Sequence, residues 1–132
     1  MKMFAKLLAA TAALAFSAAA AHAQYPERPI TLVIPYGAGG ATDIAGRNLA
    51  SVTPNYVPEP VLPVNRTGAG GVTGTASVAN ADADGYTMMV ARVGSHTVNP
   101  AMKAALPYAI DDFDYIGVFE INPVVCAVSA ES

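Results

Sequence analysis

Apolar positions along this chain come in short blocks whose spacing alternates between strand-like and helix-like. Ile30-Thr31-Leu32-Val33-Ile34 is a nearly continuous apolar run of strand length, as expected of a strand covered on both faces. Pro35 stops it. From Thr42 onward Ala45, Leu49 and Val52 follow an i, i+4, i+7 pattern with Ile44 alongside, one apolar helix face. Thr42 is placed to cap that helix, and Asp43 in its first turn suits the positive end of the dipole. Thr53-Pro54 ends it. After a proline-rich connector, Val61 to Val64 reads as a second strand, with Pro63 implying an edge or irregular position. Val72, Ala76 and Ala79 repeat the helical spacing, their small side chains letting that helix lie close to a sheet. Ala81 to Gly85 is a turn, and Tyr86 to Ala91 a third strand. Arg92 to Asn99 reads as a polar loop, Pro100 as the start of a short helix over Ala101 to Ala105, and 106–112 as turn-like. Phe113 to Phe119 and Pro123 to Val128 have the length and composition of two more strands. The order β-α-β-α-β with short loops predicts an α/β fold with a parallel or mixed sheet flanked by helices.

The N-terminus is set apart by charge and length. Lys2 and Lys6 precede an uncharged, alanine-rich stretch from Leu7 to Ala21, and Ala21-His22-Ala23 is an A-x-A cleavage site. The stretch is shorter than the roughly 20 residues of a membrane span. Residues 1–23 are therefore expected to be a secretory signal peptide cleaved after Ala23, with 24–132 the mature domain. Removing them takes two of the seven basic residues and none of the ten acidic ones, leaving a net charge of −5. That balance argues against nucleic acid as a partner, which calls for a basic stripe. The single cysteine, Cys126, has no partner for an internal disulfide and sits in an apolar run, so it is expected to be a small buried hydrophobe.

Candidate chemistry lies in two identical tetrads, Gly37-Ala38-Gly39-Gly40 and Gly68-Ala69-Gly70-Gly71. Each lies between a strand and a helix pattern. Glycine there admits a sharp turn and a close backbone approach, and the following helix start offers unpaired N–H groups to a carboxylate or phosphate. Parallel sheets bind ligands at the carboxyl ends of their strands, and the loops 35–41, 65–71 and 92–99 all leave those ends. Dinucleotide binding is disfavoured: Gly37 and Gly39 match G-x-G, but Thr42 stands where the third glycine belongs, and Glu59 lies between two prolines. A P-loop is excluded because no lysine follows either tetrad. Tight strand-to-helix turns with no ligand role would also account for either tetrad alone; the repetition favours a shared anionic ligand.

The stretches Tyr25-Pro26-Glu27-Arg28-Pro29-Ile30, Pro35-Tyr36-Gly37-Ala38-Gly39-Gly40-Ala41-Thr42-Asp43, Asn65-Arg66-Thr67-Gly68-Ala69-Gly70-Gly71, Asp84-Gly85-Tyr86-Thr87 and Asn99-Pro100-Ala101 resemble the tripartite tricarboxylate transporter substrate-binding receptors, also called Bug proteins. They stand in family-like order and spacing over essentially all of the mature chain. The resemblance implies a periplasmic, two-lobed receptor of the type II binding-protein fold, acting as a monomer without cofactor or catalysis. Its ligand would be a small carboxylate: a di- or tricarboxylate, an aromatic acid or an amino acid. The resemblance also implies that the first two loops hold the carboxylate largely by backbone N–H groups and ordered water, and that the ligand passes to membrane transporter subunits or is sensed. The family often has proline at the positions of Ala38 and Thr67, and glycine at that of Ala41. Its members are roughly twice this length or more, as expected of two lobes, so the chain is expected to be a truncated first lobe.

Within this reading the expected ligand-binding residues are Tyr36, Ala38, Gly39, Gly40, Asp43, Gly70, Gly71, Thr73, Ser95 and His96. Asp43 would repel a carboxylate if it pointed inward, which favours a loop-orienting role. Thr73 is placed either to donate its hydroxyl or to cap the second helix. Arg66 and Arg92 are candidate counter-charges. Ser95 and His96 allow an alternative, an exported hydrolase, but a neighbouring pair lacks the third group that orients the base. His96 is the only histidine of the mature chain, and Asp111, Asp112 and Asp114 lack the EF-hand glycine and distal glutamate, so no metal is expected. A non-binding fragment is the remaining alternative.

Overall fold

The computed structural model describes residues 25–123 and 125–130. The proposed signal peptide, residues 1–23, and its cleavage point lie outside the described residues. Strand β1 (Ile30–Ile34) leads through the first glycine loop into helix α1 (Ala41–Val52). Strand β2 (Val61–Asn65) leads through the second into α2 (Val72–Ala79), followed by β3 (Thr87–Met89) and the one-turn α3 (Asn99–Met102). The strands form one parallel sheet in the order β2-β1-β3. Ile30 faces Val61 in register, and Thr31 faces Thr87.

This order follows from the burial of β1. The chain steps from β1 to β2 on one side, then back across β1 to β3. Both crossovers are of the kind that is almost always right-handed, which places the two helices on opposite faces of the sheet. The central strand must then be apolar on both sides. Ile34 and Val33 are fully buried, each such side chain stabilising the fold by roughly 2 kcal/mol. On one face Ile30, Leu32 and Ile34 form the core with Val61 and Val90, and Leu49 and Ala50 of α1 close over them. The helix can approach because of Gly46: a Cβ there would lie 2.9 Å from Ile34 Cδ1. On the other face α2 comes equally near through Gly74, where a Cβ would meet the Arg66 carbonyl and the Pro35 backbone. Pro63 sits on an edge strand, where its missing N–H is tolerated.

Two of the sequence motifs meet at the amino end of the sheet, away from the glycine loops. Tyr25 Oη donates to the Gly85 carbonyl at 2.6 Å, and Arg28 pairs with Asp84 at 2.8 Å while stacking over the Tyr86 ring. Tyr86 Oη accepts the Glu27 N–H. The lead-in and the turn before β3 thus form one clasp with a structural purpose.

The structure corrects several sequence expectations. Gly40, not Thr42, occupies the cap position of α1, and no side chain caps it, because the helix begins one residue earlier, at Ala41. The third loop is a wide helical turn over Gly94–Val98 running directly into α3, which ends at Met102 and does not reach Ala105. Among the described residues, 113–119 and 123–128 contain no strand. Ile116, Val118, Ile121, Val125 and Val128 are each at least 80% exposed, and among the described residues no strand pairs with the outer edge of β3 or β2. Cys126 is exposed for the same reason: its apolar run has no layer to enter.

Candidate functional site

Parallel pairing brings the carboxyl ends of all three strands, and so all three following segments, to one rim of the sheet. Strand order reverses at β1, making this rim a topological switch point, where open α/β sheets bind ligands. The segments touch there through Tyr36. A Cβ at Gly71 would lie 3.1 Å from its ring, and one at Gly94 would lie 2.6 Å from its hydroxyl. The ring therefore fills the space between the second loop and the third segment. Its hydroxyl is buried without a hydrogen-bond partner among the described residues.

The first loop is anchored by Asp43, whose carboxylate is buried. It accepts the Gly39 N–H at 2.8 Å, Arg47 Nε at 3.0 Å and Asn65 Nδ2 at 2.8 Å. Arg47 in turn donates to Asn65 Oδ1, and Asn65 Nδ2 also donates to the Tyr36 carbonyl. The Arg47 guanidinium, then the Gly39 amide and the Asn65 amide, hold the Asp43 carboxyl well below its usual 3.8, at about 2. Asp43 in turn raises Arg47, so both stay charged. This arrangement ties the loop to α1 and to the end of β2. It also uses up the Gly39 N–H. Gly40 N–H turns back to the Gly37 carbonyl at 3.4 Å, a long bond. The Ala38 amide and those of Ala41, Thr42 and Asp43, which precede the first helical bond of α1, have no acceptor among the described residues.

The second loop is built differently. Ala69, Gly70 and Gly71 all take positive φ, at 49°, 69° and 94°, which costs the alanine about 1 kcal/mol. The Gly71 N–H donates to the Gly68 carbonyl at 2.9 Å, and Thr73 N–H reaches the same oxygen at 3.4 Å. Gly70 N–H has no acceptor among the described residues. The Thr73 side chain makes no capping bond to α2; its Oγ1 lies 2.6 Å from where a Cβ at Gly68 would stand. From the third segment, buried Asn99 donates Nδ2 to the Gly70 carbonyl at 2.9 Å, and Lys103 donates Nζ to the Ala69 carbonyl at 3.0 Å.

Ser95 and His96 are in contact, with Oγ and Nδ1 2.9 Å apart. Ser95 is nonetheless fully buried. Its Oγ donates to the Arg92 carbonyl and accepts the Arg92 N–H, which makes it a turn-closing hydroxyl inaccessible to a substrate. Tyr108 Oη donates to the Ser95 carbonyl at 2.6 Å. The His96 ring packs edge-on to Phe113 and Tyr115 and beside Tyr108. Burial lowers its pKa, and Nε2 is enclosed without a partner among the described residues. Of the candidate counter-charges, Arg92 is paired with Glu120 at 2.9 Å, whereas Arg66 forms no ion pair among the described residues and contributes its backbone N–H to the Ile34 carbonyl. Among the described residues no three His, Cys, Asp or Glu side chains cluster as metal ligands, and no helix is long and apolar enough to cross a membrane. A separate groove of about 550 Å³ runs along α1 between Ile44, Leu49, Val52 and Phe119.

Asn65, Asn99 and Lys103 escaped the sequence reading as site-building residues. The two asparagines stand in the motifs quoted above, but nothing local says that their amides reach backbone atoms 29 residues away.

A parallel α/β sheet with two glycine-rich helix starts at one rim is the arrangement in which open α/β sheets place ligand sites. Residues 45–132 match the model of the tripartite tricarboxylate transporter family receptors, and the chain belongs to that family. A UPF0065 protein of Bordetella pertussis is 38% identical over 88% of this chain and 36% of its own length. Among solved structures, MatC from Rhodopseudomonas palustris with bound malate superposes with a TM-score of 0.65 at 34% identity, over 67% of this chain and 31% of that one. An R. palustris protein with adipate gives 0.62 at 32%, over 66% and 29%. The chain thus spans about a third of the length of the proteins it matches.

Proposed function

We propose that residues 24–132 form the first α/β lobe of an extracytoplasmic solute receptor for a small carboxylate. The ligand carboxylate is held by backbone N–H groups of the two glycine loops and then delivered to the membrane subunits of a tripartite tricarboxylate transporter. Residues 1–23 direct export and are removed after Ala23. The observation that carries this reading is the meeting of both loops at one rim, with the Ala38, Gly70 and Ala41–Asp43 amides unpaired among the described residues. Amides of this kind favour an anion at no desolvation cost to a protein charge. Malate and adipate, bound by the two structural relatives, are both dicarboxylates and fix the first ligands to try. Tyr36, Thr73, Ser95 and His96 line or brace the loops, and Asp43 orients the first of them.

Titration calorimetry against malate, adipate, citrate, an aromatic acid and acidic amino acids tests this, with the corresponding methyl esters as controls. Binding of at least one acid and of none of its esters is expected. No binding of any acid to the folded protein, or ester turnover abolished by Ser95→Ala, would overturn it.

A further inference from the structure

The two side chains that clamp the second loop point to a role that the ligand itself never touches. In a planar trans peptide the carbonyl of one residue and the N–H of the next point in opposite directions. Whatever holds the carbonyl therefore aims the amide. Lys103 Nζ holds the Ala69 carbonyl, so the Gly70 N–H faces the other way, where it has no acceptor among the described residues. Asn99 Nδ2 holds the Gly70 carbonyl, so the Gly71 N–H faces back to the Gly68 carbonyl, closing the turn. Positive φ at four successive residues, Gly68 to Gly71, leaves Ala69 in a conformation that it does not hold by preference, and these two bonds come from outside the loop to keep it there. Both donors belong to one short helix: Asn99 begins α3, and the Lys103 N–H caps it by donating to the Asn99 carbonyl. The helix is itself joined to the wide turn at Gly94–Val98 that rests on Tyr36.

We propose that Asn99 and Lys103 are positioning residues that set the peptide planes of Ala69–Gly71 and thereby aim the Gly70 amide at the ligand. The second half of the proposal rests on the carboxylate-receptor reading; the first half does not. The effect is larger at Asn99, which is buried, than at exposed Lys103, where water replaces part of the lost bond.

The test measures two properties of the same proteins: the Gly70 and Gly71 amide resonances without ligand, and the affinity for malate and adipate. Asn99→Ala is expected to shift both resonances and weaken binding about tenfold, and Lys103→Met to shift Gly70 and weaken binding about threefold. Lys103→Arg, which retains a donor, should restore both readings. Lys103→Met, at an exposed position, keeps the test open should Asn99→Ala fail to fold. Unmoved resonances in Lys103→Met overturn the positioning role, and weakened binding alongside them would mean direct ligand contact. Moved resonances with unchanged affinity overturn the link to binding. If neither acid binds the wild-type protein, the receptor reading fails for these ligands, and the resonances alone still decide whether the clamp exists.

Discussion

Of the two glycine tetrads, the first is anchored through an amide and the second through its carbonyls. In the first, the Asp43 carboxylate takes the Gly39 N–H and is held in turn by Arg47 and Asn65. In the second, Asn99 and Lys103 take the carbonyls of Gly70 and Ala69. The same four residues in sequence therefore present different groups. The first loop spends the donor of its third residue on its own helix and leaves those of Ala38 and the α1 start. The second keeps the donor of its third residue, Gly70. Identical glycine motifs fold here into different turns, with positive φ at Gly39 alone in the first and at Gly68 through Gly71 in the second, and the surrounding side chains decide which backbone atoms remain unpaired.

The largest disturbance is expected where both loops share a support. Gly74→Ala would drive a methyl into the Arg66 carbonyl leaving β2 and into Pro35 leaving β1. We expect a loss of about 3 kcal/mol in denaturant unfolding; a loss well below that would mean that α2 slides off the sheet freely. Next comes the contrast between the loops themselves. Gly71→Ala combines a φ of 94° with a Cβ 3.1 Å from Tyr36 and should cost about 2 kcal/mol, whereas Gly39→Ala, at φ 78° with open space around it, should cost about 1 kcal/mol. Equal losses would erase the claimed difference in packing.

Smaller effects separate the anchors by pH. The Asp43 pKa is depressed from 3.8 to about 2, so between those values the unfolded chain binds more protons than the folded one. The resulting stability is present above about pH 4 and lost as pH falls through 2. Melting curves should show this acid loss in the wild type and a flatter profile in Asp43→Asn; parallel profiles would detach the carboxylate from the first loop. The second loop's donors carry no such depressed acid, and Asn99→Ala should leave the slope unchanged. The smallest effect belongs to His96. Burial lowers its pKa, so it favours the folded state while neutral and opposes it once protonated. Stability should decline modestly as pH falls below about 6.5, and His96→Phe should remove that decline.

How much of this was legible in sequence depended on whether the cause was local. The apolar run of β1, the helical spacing of Ala45, Leu49 and Val52, and Pro63 at an edge all state their environment directly, whereas the strand order β2-β1-β3 came only with the structure. The expected α/β fold with a parallel sheet and the family likeness were legible for the same reason. The apolar stretches at 113–119 and 123–128 misled, because strand-forming composition does not by itself pair a segment with a sheet: among the described residues both outer edges stay unpaired and these stretches stay exposed. The polar segment after β3 read as a loop because a wide helical turn has no clean period. Ser95 and His96 were visible as a pair, but not that Ser95 closes a buried turn. The Asp43 anchor lies four residues from Gly39, within one local window, whereas Asn65, Asn99 and Lys103 bond to backbone carbonyls 29 or 34 residues away, and no short window of sequence contains both ends of such a bond.

Tyr36 wedges one aromatic ring against two positions that lack side chains, Gly71 and Gly94. The three are therefore a single mould: bulk added at either glycine has to be removed from the tyrosine. An engineer wanting more room at this rim would start by trimming Tyr36, and one wanting less would find both glycines already closed to enlargement.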